Sequence, residues 1–114
     1  MSVKSLEHFF YAKSIAVVGA SNDASKTGYQ VVHNLDSRGY QGTIYPVNPK
    51  EKEIAGLPCY SSIMEIKEPL ELVVITVPAK FVLPVVDQAI ERGDVKGLVV
   101  ISAGFREVKT PRGD

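Results

Sequence analysis

A short apolar segment followed by small residues is the part of this chain best suited to bind an anion. The run Ile15–Val18 is followed by Gly19, Ala20 and Ser21, and a helical pattern begins at Gly28. The first N–H groups of a helix lack intrahelical partners, and the helix dipole favours negative charge beside them. The spacing therefore predicts a site for a phosphorylated ligand. Small residues also occur in ordinary strand-to-helix turns, so the rest of the chain must decide between the two interpretations.

The residues around this turn indicate which phosphorylated ligand is favoured. NAD sites carry G-x-G-x-x-G after the first strand and an acidic residue at the end of the second. Here Gly19 is followed by no other glycine before Gly28, and the second apolar run leads to Lys50 instead of an acid. A Walker loop is absent because no G-K-[ST] sequence occurs. The pattern favours a nucleotide with a ribose phosphate, or NADP, over NAD.

Composition limits the possible classes of protein. The 114 residues suffice for one domain with a single core. Thirteen basic residues balance thirteen acidic ones, so the overall charge favours neither nucleic acid nor a membrane surface as a partner. The single cysteine, Cys59, excludes an intrachain disulfide framework and a cysteine-rich metal cluster, and we expect it to pack as a small apolar side chain. No signal peptide or membrane span is visible, so a cytoplasmic protein is expected. No metal site is predicted.

The order of apolar runs predicts an α/β fold. Strands are expected at 14–19, 42–47, 72–77 and 98–102, with a very short one within 56–60. Helices are expected at 5–12, 28–38 and 81–92, with one or two turns at 62–65. Strands that alternate with helices, each a continuous apolar run, are typical of a Rossmann-like doubly wound parallel sheet in three α/β/α layers. Right-handed crossovers give the expected strand order 3-2-1-4-5, with a ligand site at the switch point between the first and fourth strands.

Four segments in this order resemble the N-terminal CoA-binding domain of the NDP-forming acyl-CoA synthetases. They are Ser14–Ser21 (SIAVVGAS), Tyr45–Lys50 (YPVNPK), Thr76–Ala79 (TVPA) and Ile101–Phe105 (ISAGF). That family includes ADP-forming acetate–CoA ligase and is related to the succinyl-CoA synthetase alpha subunit. The resemblance implies that residues 1–107 form a CoA-binding domain, and that 108–114 are a tail or the start of a truncated continuation.

The resemblance also implies a set of ligand-binding residues. The loop after the first strand wraps the CoA phosphates, Lys50 contacts the phosphate end of the nucleotide, and the turns after the last two strands flank adenosine and pantetheine. The implied CoA-binding residues are Gly19, Ala20, Ser21, Asn22, Lys26, Gly28, Val47, Asn48, Pro49, Lys50, Val77, Pro78, Ala79, Ile101, Ser102 and Ala103. Two residues depart from the family pattern. Asp23 places a carboxylate in the phosphate loop, where we expect it to face solvent or Lys26, and Ala103 replaces an acidic residue of the succinyl-CoA branch.

No catalytic residue is predicted in this chain. The family forms an acyl phosphate and passes the phosphoryl group through a histidine of the following domain, whereas this chain contains only His8 and His33. His33 is expected mid-helix at the surface. The resemblance therefore implies that this chain binds CoA and works with the remaining ligase domains or subunit, and an oligomer is compatible with it. It also implies that this chain alone does not catalyse the ligase reaction.

Alternative functions stay open at this point. The same domain resembles the CoA-binding regulatory domain that precedes the catalytic domain of some bacterial protein acetyltransferases, and also small free-standing CoA-binding proteins. An NADP-binding module and a docking domain without a ligand are the other two alternatives. Residues beyond Asp114 would separate the ligase from the acetyltransferase, and competition between nucleotides would separate CoA from NADP.

Overall fold

Apolar runs form the parallel sheet at the centre of the structure. The computed structural model describes residues 11–101. Its strands are β1 (Ser14–Val18), β2 (Thr43–Val47), β3 (Glu53–Ile54), β4 (Leu57–Pro58), β5 (Leu72–Ile75) and β6 (Gly97–Val100). Four of them pair in the order β2-β1-β5-β6, all parallel. Every residue of β1 is buried, as expected of a central strand covered on both faces.

Two helices cover the opposite faces of this sheet. They are α1 (Thr27–Ser37) and α2 (Val82–Arg92), and short 3-10 turns occur at Ile63–Glu65 and Ala79–Phe81. The apolar stripe of α1 packs with one set of strand residues, which includes Ile15, Val17 and Val74. The buried residues of α2 pack with the alternate set, which includes Ala16, Val18, Val73 and Ile75. Because successive strand side chains point to opposite faces, this division produces the predicted three-layer α/β/α fold.

The predicted strand order is confirmed for four strands, and the third strand is the exception. In chain order, the large sheet reads second, first, fourth and fifth of the expected strands. The expected strand within 56–60 instead contributes β4 to an antiparallel hairpin with β3. Ala55 and Gly56 have φ values of 54° and 78°, the left-handed pair that a tight two-residue hairpin requires. Tyr60, two residues after β4, is joined to the large sheet by a parallel bridge to Val47.

The bounds of the other elements lie close to those expected from sequence. Helix α1, expected at 28–38, begins and ends one residue earlier, whereas α2, expected at 81–92, begins one residue later and ends at the expected residue. Gly93 ends α2 in the left-handed conformation, at φ 80°, as predicted. The expected turns at 62–65 form a 3-10 turn in which Ser62 Oγ accepts a hydrogen bond from Met64 N–H. The expected helix at 5–12 lies almost wholly outside the described residues.

Arg92 fixes the carboxyl end of α2 to the segment that precedes β5. Its guanidinium donates to the carbonyl oxygens of Ile63 at 2.7 Å, Ile66 at 2.6 Å and Glu68 at 2.9 Å. It also forms an ion pair with Asp94 at 2.9 Å, and only 9% of the Arg92 side chain is exposed. The hydrogen bonds from Arg92 lower the pKa of the Asp94 carboxyl. These bonds hold in place the helix that begins at the turn after β5.

Candidate functional site

The carboxyl ends of the four parallel strands lie at one edge of the sheet. Val18 pairs with Val47 and Ile75, and Ile75 pairs with Val100, so the last residues of the strands are in register. β1 continues into α1 on one face, whereas β5 continues into α2 on the other. The connections thus diverge between β1 and β5. This is the predicted switch point, where open α/β sheets bind their ligands.

Gly28 brings the first turn of α1 against the loop that leaves β1. A Cβ atom on Gly28 would collide with the Gly19 carbonyl oxygen and would lie 2.7 Å from the Gly19 carbonyl carbon and 2.9 Å from Ala20 Cα. Gly19 has φ 92° and donates its N–H to Val47 O at 3.0 Å. The expected close approach at Gly28 is therefore present. The helix N-terminus lies directly on the backbone turn.

No side chain of the cap or the first turn takes the place of an anion at the N-terminus of α1. Its cap residue, Lys26, makes no side-chain capping bond, and the first turn contains no acidic residue. The N–H of Gln30 bonds to Lys26 O at 3.2 Å, so the intrahelical ladder begins only there. Helix starts of this kind direct free N–H groups and a partial positive charge outwards.

The loop between β1 and α1 is folded on its own side chains. Ser21 Oγ accepts from the N–H of Asp23 at 2.9 Å. Asp23 Oδ1 accepts from Ser25 N–H at 3.0 Å and from Ser25 Oγ at 2.8 Å. These bonds, the backbone one foremost, lower the pKa of the Asp23 carboxyl, and Lys26 contributes a smaller attraction. Asp23 is exposed, as expected, but its hydrogen-bond partner is Ser25, which the Asp-x-Ser spacing of an Asx turn could have indicated.

Two asparagine side chains tie this loop to the segment after β2. Asn48 Nδ2 donates to Ala20 O at 2.9 Å, and Asn48 Oδ1 accepts from Lys50 N–H at 2.8 Å. Asn22 Nδ2 donates to Glu53 O at 3.0 Å and to Glu51 Oε1 at 3.3 Å. Both side chains were expected to contact the ligand. In this structure their amide groups bond to the protein.

Lys26 and Lys50 are the two cationic residues among the predicted site residues. Both are exposed. Within residues 11–101, the ion pairs join Arg92 to Asp94 and Lys96 to Glu71. Neither pair involves Lys26 or Lys50, so both ammonium groups are available to an anionic ligand.

The end of β5 completes this edge of the sheet. Thr76 donates both its N–H and its Oγ1 to Val18 O, each at 2.8 Å. A Cβ on Gly19 would collide with Thr76 Oγ1, so Gly19 is required by this contact as well as by its positive φ. Thr76 lies in one of the four segments that carry the family resemblance, but no role is predicted for it from sequence. Its signal was a hydroxyl residue within an otherwise apolar strand run.

The predicted site residues after β5 and β6 are only partly described. Val77 is half-buried and packs against the core on the α2 face, whereas Pro78 and Ala79 are exposed. Ile101 donates its N–H to Ile75 O at 2.7 Å and extends the β5–β6 pairing to the same edge. Ser102 and Ala103 lie outside the described residues. The structure therefore brings together at one edge the predicted residues Gly19, Ala20, Ser21, Asn22, Lys26, Gly28, Val47, Asn48, Pro49, Lys50, Val77, Pro78, Ala79 and Ile101.

Other reactive side chains stand apart from this edge or have structural partners. His33 is exposed on α1 and stacks on Tyr29 with ring centroids 5.8 Å apart. Cys59 is half-buried, and burial raises the pKa of its thiol, in agreement with its expected packing role. Between residues 11 and 101, no group of three His, Cys, Asp or Glu side chains could hold a metal ion. No helix in that range has the length and apolarity needed to cross a bilayer.

Comparison with known protein families gives a match over almost the whole chain. The CoA binding domain family matches residues 13–109. A curated relative, the ADP-forming acetate–CoA ligase I of Archaeoglobus fulgidus, is 49% identical over 102 residues, which are 90% of this chain and 14% of the ligase. The alpha subunit of the ADP-forming acetate–CoA ligase II of Pyrococcus furiosus is 48% identical over 90% of this chain and 22% of that subunit. The chain thus spans less than a quarter of each of these relatives.

Solved structures with the same fold include an enzyme of this kind. The dinucleotide-forming acetyl-coenzyme A synthetase 1 of Ca. Korarchaeum cryptofilum, in complex with phosphate and ADP, superposes with a TM-score of 0.81 at 46% identity. That match covers 90% of this chain and 22% of the synthetase. A hypothetical protein from Pyrococcus horikoshii OT3 superposes with a TM-score of 0.71 at 29% identity, and there the match covers 84% of the other chain.

Proposed function

This chain belongs to the CoA binding domain family, and from that premise we propose that it holds coenzyme A across the carboxyl edge of its sheet for an ADP-forming acid–CoA ligase. The observation that carries the proposed location is the contact between Gly28 and Gly19, which sets an uncapped helix N-terminus on the turn after β1. A diphosphate is the part of coenzyme A that such a terminus accommodates best.

The proposed site has two anion-binding parts. The N–H groups of the first turn of α1, with Lys26, would receive the diphosphate. Lys50, exposed at the end of the segment after β2, would receive the phosphate on the ribose. A lysine there makes a charge-assisted hydrogen bond to a phosphate, whereas the acidic residue of an NAD site would repel it. The turn at 77–79 and Ile101 would flank the less polar parts of the ligand.

We place the acid–CoA ligase reaction in the complete enzyme and not in this chain. The reaction converts an acid, CoA and a nucleoside triphosphate into acyl-CoA, a nucleoside diphosphate and phosphate. The two curated ligases support this assignment through their similarity. We do not assign the role of phosphoryl carrier to His33, because it lies on the exposed side of α1 and its ring stacks on that of Tyr29. The chain's proposed part is to bind and orient CoA for further ligase domains or a second subunit, in the cytoplasm.

The Pyrococcus horikoshii protein supports one alternative. This chain covers most of that protein's length, so the same fold also occurs in small chains, and a free-standing CoA-binding protein is the second candidate. NADP, which also carries a ribose phosphate, is the competing ligand. Both alternatives retain the role of Lys50 and differ in what else is bound.

Calorimetric titration with CoA, dephospho-CoA and NADP tests the proposal. We expect CoA to bind more tightly than the other two. Lys50→Ala should weaken CoA binding by about 1–3 kcal/mol, the usual contribution of a charged hydrogen bond, and leave dephospho-CoA nearly unchanged. Lys13→Ala is the matched control, because Lys13 is also exposed but precedes β1 and so lies at the opposite edge of the sheet. If Lys50→Ala weakens the binding of CoA and dephospho-CoA equally, the role of Lys50 is refuted. If the wild-type chain binds NADP more tightly than CoA, CoA is refuted as the ligand.

A further inference from the structure

The side chain of Asn48 joins the two loops that would hold the two phosphate groups. Its Nδ2 donates to Ala20 O at 2.9 Å, in the loop that leads to α1. Its Oδ1 accepts from the N–H of Lys50 at 2.8 Å, two residues further along the chain. One amide therefore fixes the backbone of Lys50 relative to the turn after β1.

The backbone of Asn48 is fixed as firmly as its side chain. Its N–H donates to Tyr60 O at 2.8 Å, and Tyr60 N–H donates to Pro46 O at 2.9 Å. Asn48 O accepts from Glu51 N–H at 3.4 Å and lies 3.5 Å from the Cys59 thiol. The amide is thus built into the sheet edge, and it bonds to protein groups on both sides.

We propose that Asn48 is a positioning residue that sets the distance between Lys50 and the helix N-terminus, and thereby the discrimination between CoA and dephospho-CoA. The proposal rests on the proposed function. A lysine side chain has many rotamers, and a fixed backbone origin reduces the entropy lost when its ammonium meets a phosphate. Asn48 therefore acts on the ligand through Lys50 and not through a contact of its own.

The chemistry of the two bonds explains why the residue is an asparagine. Ala20 O needs a donor, and Lys50 N–H needs an acceptor. An amide supplies both at this reach, whereas an ionised aspartate accepts only. Removal of the side chain would leave both backbone groups without these partners and would free Lys50 from the first loop.

A double-mutant cycle between Asn48 and Lys50 tests this proposal. Calorimetry gives the ratio of the dissociation constants of dephospho-CoA and CoA for the wild-type chain, Asn48→Ala, Lys50→Ala and the double variant. We expect Asn48→Ala to reduce the ratio by at least roughly twofold, the lower end of the coupling between residues in contact. The double variant should have the same ratio as Lys50→Ala alone, because Asn48 acts through Lys50.

Ser14→Ala is the control for a purely structural effect. Ser14 Oγ donates to Pro69 O at 3.0 Å and accepts from Glu71 N–H at 2.9 Å, so it is also a two-bond tie, but at the opposite edge of the sheet. The Ser14→Ala substitution should lower the melting temperature and leave the ratio of the dissociation constants of dephospho-CoA and CoA at the wild-type value. If Asn48→Ala does not fold, Asn48→Ser, which can retain one of the two bonds, takes its place in the same cycle.

The outcomes separate this proposal from the proposed function. A wild-type chain that binds neither CoA nor dephospho-CoA overturns both. A wild-type chain that binds the two ligands equally overturns the roles of Lys50 and Asn48 and leaves CoA as the proposed ligand. A wild-type chain that discriminates, with an Asn48 variant that keeps the full ratio, overturns only the positioning role. Independent reductions by Asn48→Ala and Lys50→Ala that multiply in the double variant also overturn it, because they would mean that Asn48 contacts the ligand itself.

Discussion

Substitution of Gly28 by alanine tests the contact on which the proposed phosphate site depends. Alanine usually stabilises a helix by up to about 1 kcal/mol relative to glycine. Here its Cβ would lie 2.7 Å from the Gly19 carbonyl carbon and closer still to the carbonyl oxygen. Carbon atoms pack at about 3.5–4.0 Å, so the helix or the turn must move by roughly 0.8 Å or more.

The steric effect should exceed the helix-propensity effect. Overpacking costs about 1–3 kcal/mol, and the upper part of that range applies because Gly28 meets backbone that hydrogen bonds hold in place. Gly19 N–H is bonded to Val47 O, and Val18 O is bonded to Thr76. We expect a net loss of about 1–2 kcal/mol in the free energy of unfolding. In domains of about 60–100 residues, each kcal/mol lowers the melting temperature by roughly 4–8 °C, so the decrease should be easy to measure.

Thermal unfolding followed by circular dichroism, with and without CoA, measures both consequences. The stability should fall, and the added stabilisation by CoA should shrink because the displaced helix no longer directs its N–H groups correctly. Gly97→Ala is the control, since its Cβ would meet the flexible end of Leu72, with Cδ1 at 3.0 Å. A Gly28→Ala chain as stable as the wild type, with unchanged CoA binding, would show that the steric reasoning is wrong.

Three further predictions concern stability and activity. Arg92→Ala should reduce the free energy of unfolding, measured in urea, by about 2–4 kcal/mol, because it removes the bonds from Arg92 to three carbonyl groups and to the Asp94 carboxylate. A loss below about 1 kcal/mol would contradict this. Burial and the nearby Glu71 raise the pKa of Tyr40 to about 12, so the neutral phenol should stabilise the fold below pH ~10 and this stabilisation should be lost as the pH rises through 12. Tyr40→Phe should lack that alkaline loss in pH-dependent unfolding, and an identical pH profile would refute the assignment. Incubation with ATP, acetate and CoA should yield neither acetyl-CoA nor phosphoprotein, and labelled phosphate on His33 would overturn the view that the chain only binds.

Sequence patterns predicted the sheet because its signals are local and strong. β5, and β1 after its first residue Ser14, are continuous apolar runs, and their burial on both faces follows from that composition. The β3–β4 hairpin was missed because its turn places Ala55 at positive φ, which is rare for a residue other than glycine or asparagine. A one-residue bridge at Tyr60 is likewise too short to produce a periodic signal.

The candidate site was predicted at the level of its loops but not of its hydrogen bonds. Gly19, Gly28 and Lys50 stand out because their residue types serve a backbone turn, a close approach and a phosphate. The ties made by Asn48 to Ala20, 28 residues earlier, depend on how two strands align, which no local pattern reveals. For the same reason, the bond from Thr76 to Val18 O could not be predicted.

Amide chemical-shift mapping by NMR, with labelled chain titrated with CoA, tests the location of the site most directly. The proposed site predicts that the largest changes occur at amides in three segments at the carboxyl edge, which are 19–28, 47–50 and 76–79. Amides at the opposite edge, such as those of Lys13, Leu70 and Glu71, should remain unperturbed. Largest changes at that opposite edge, or no changes at high CoA concentration, would contradict the proposed CoA site at the carboxyl edge.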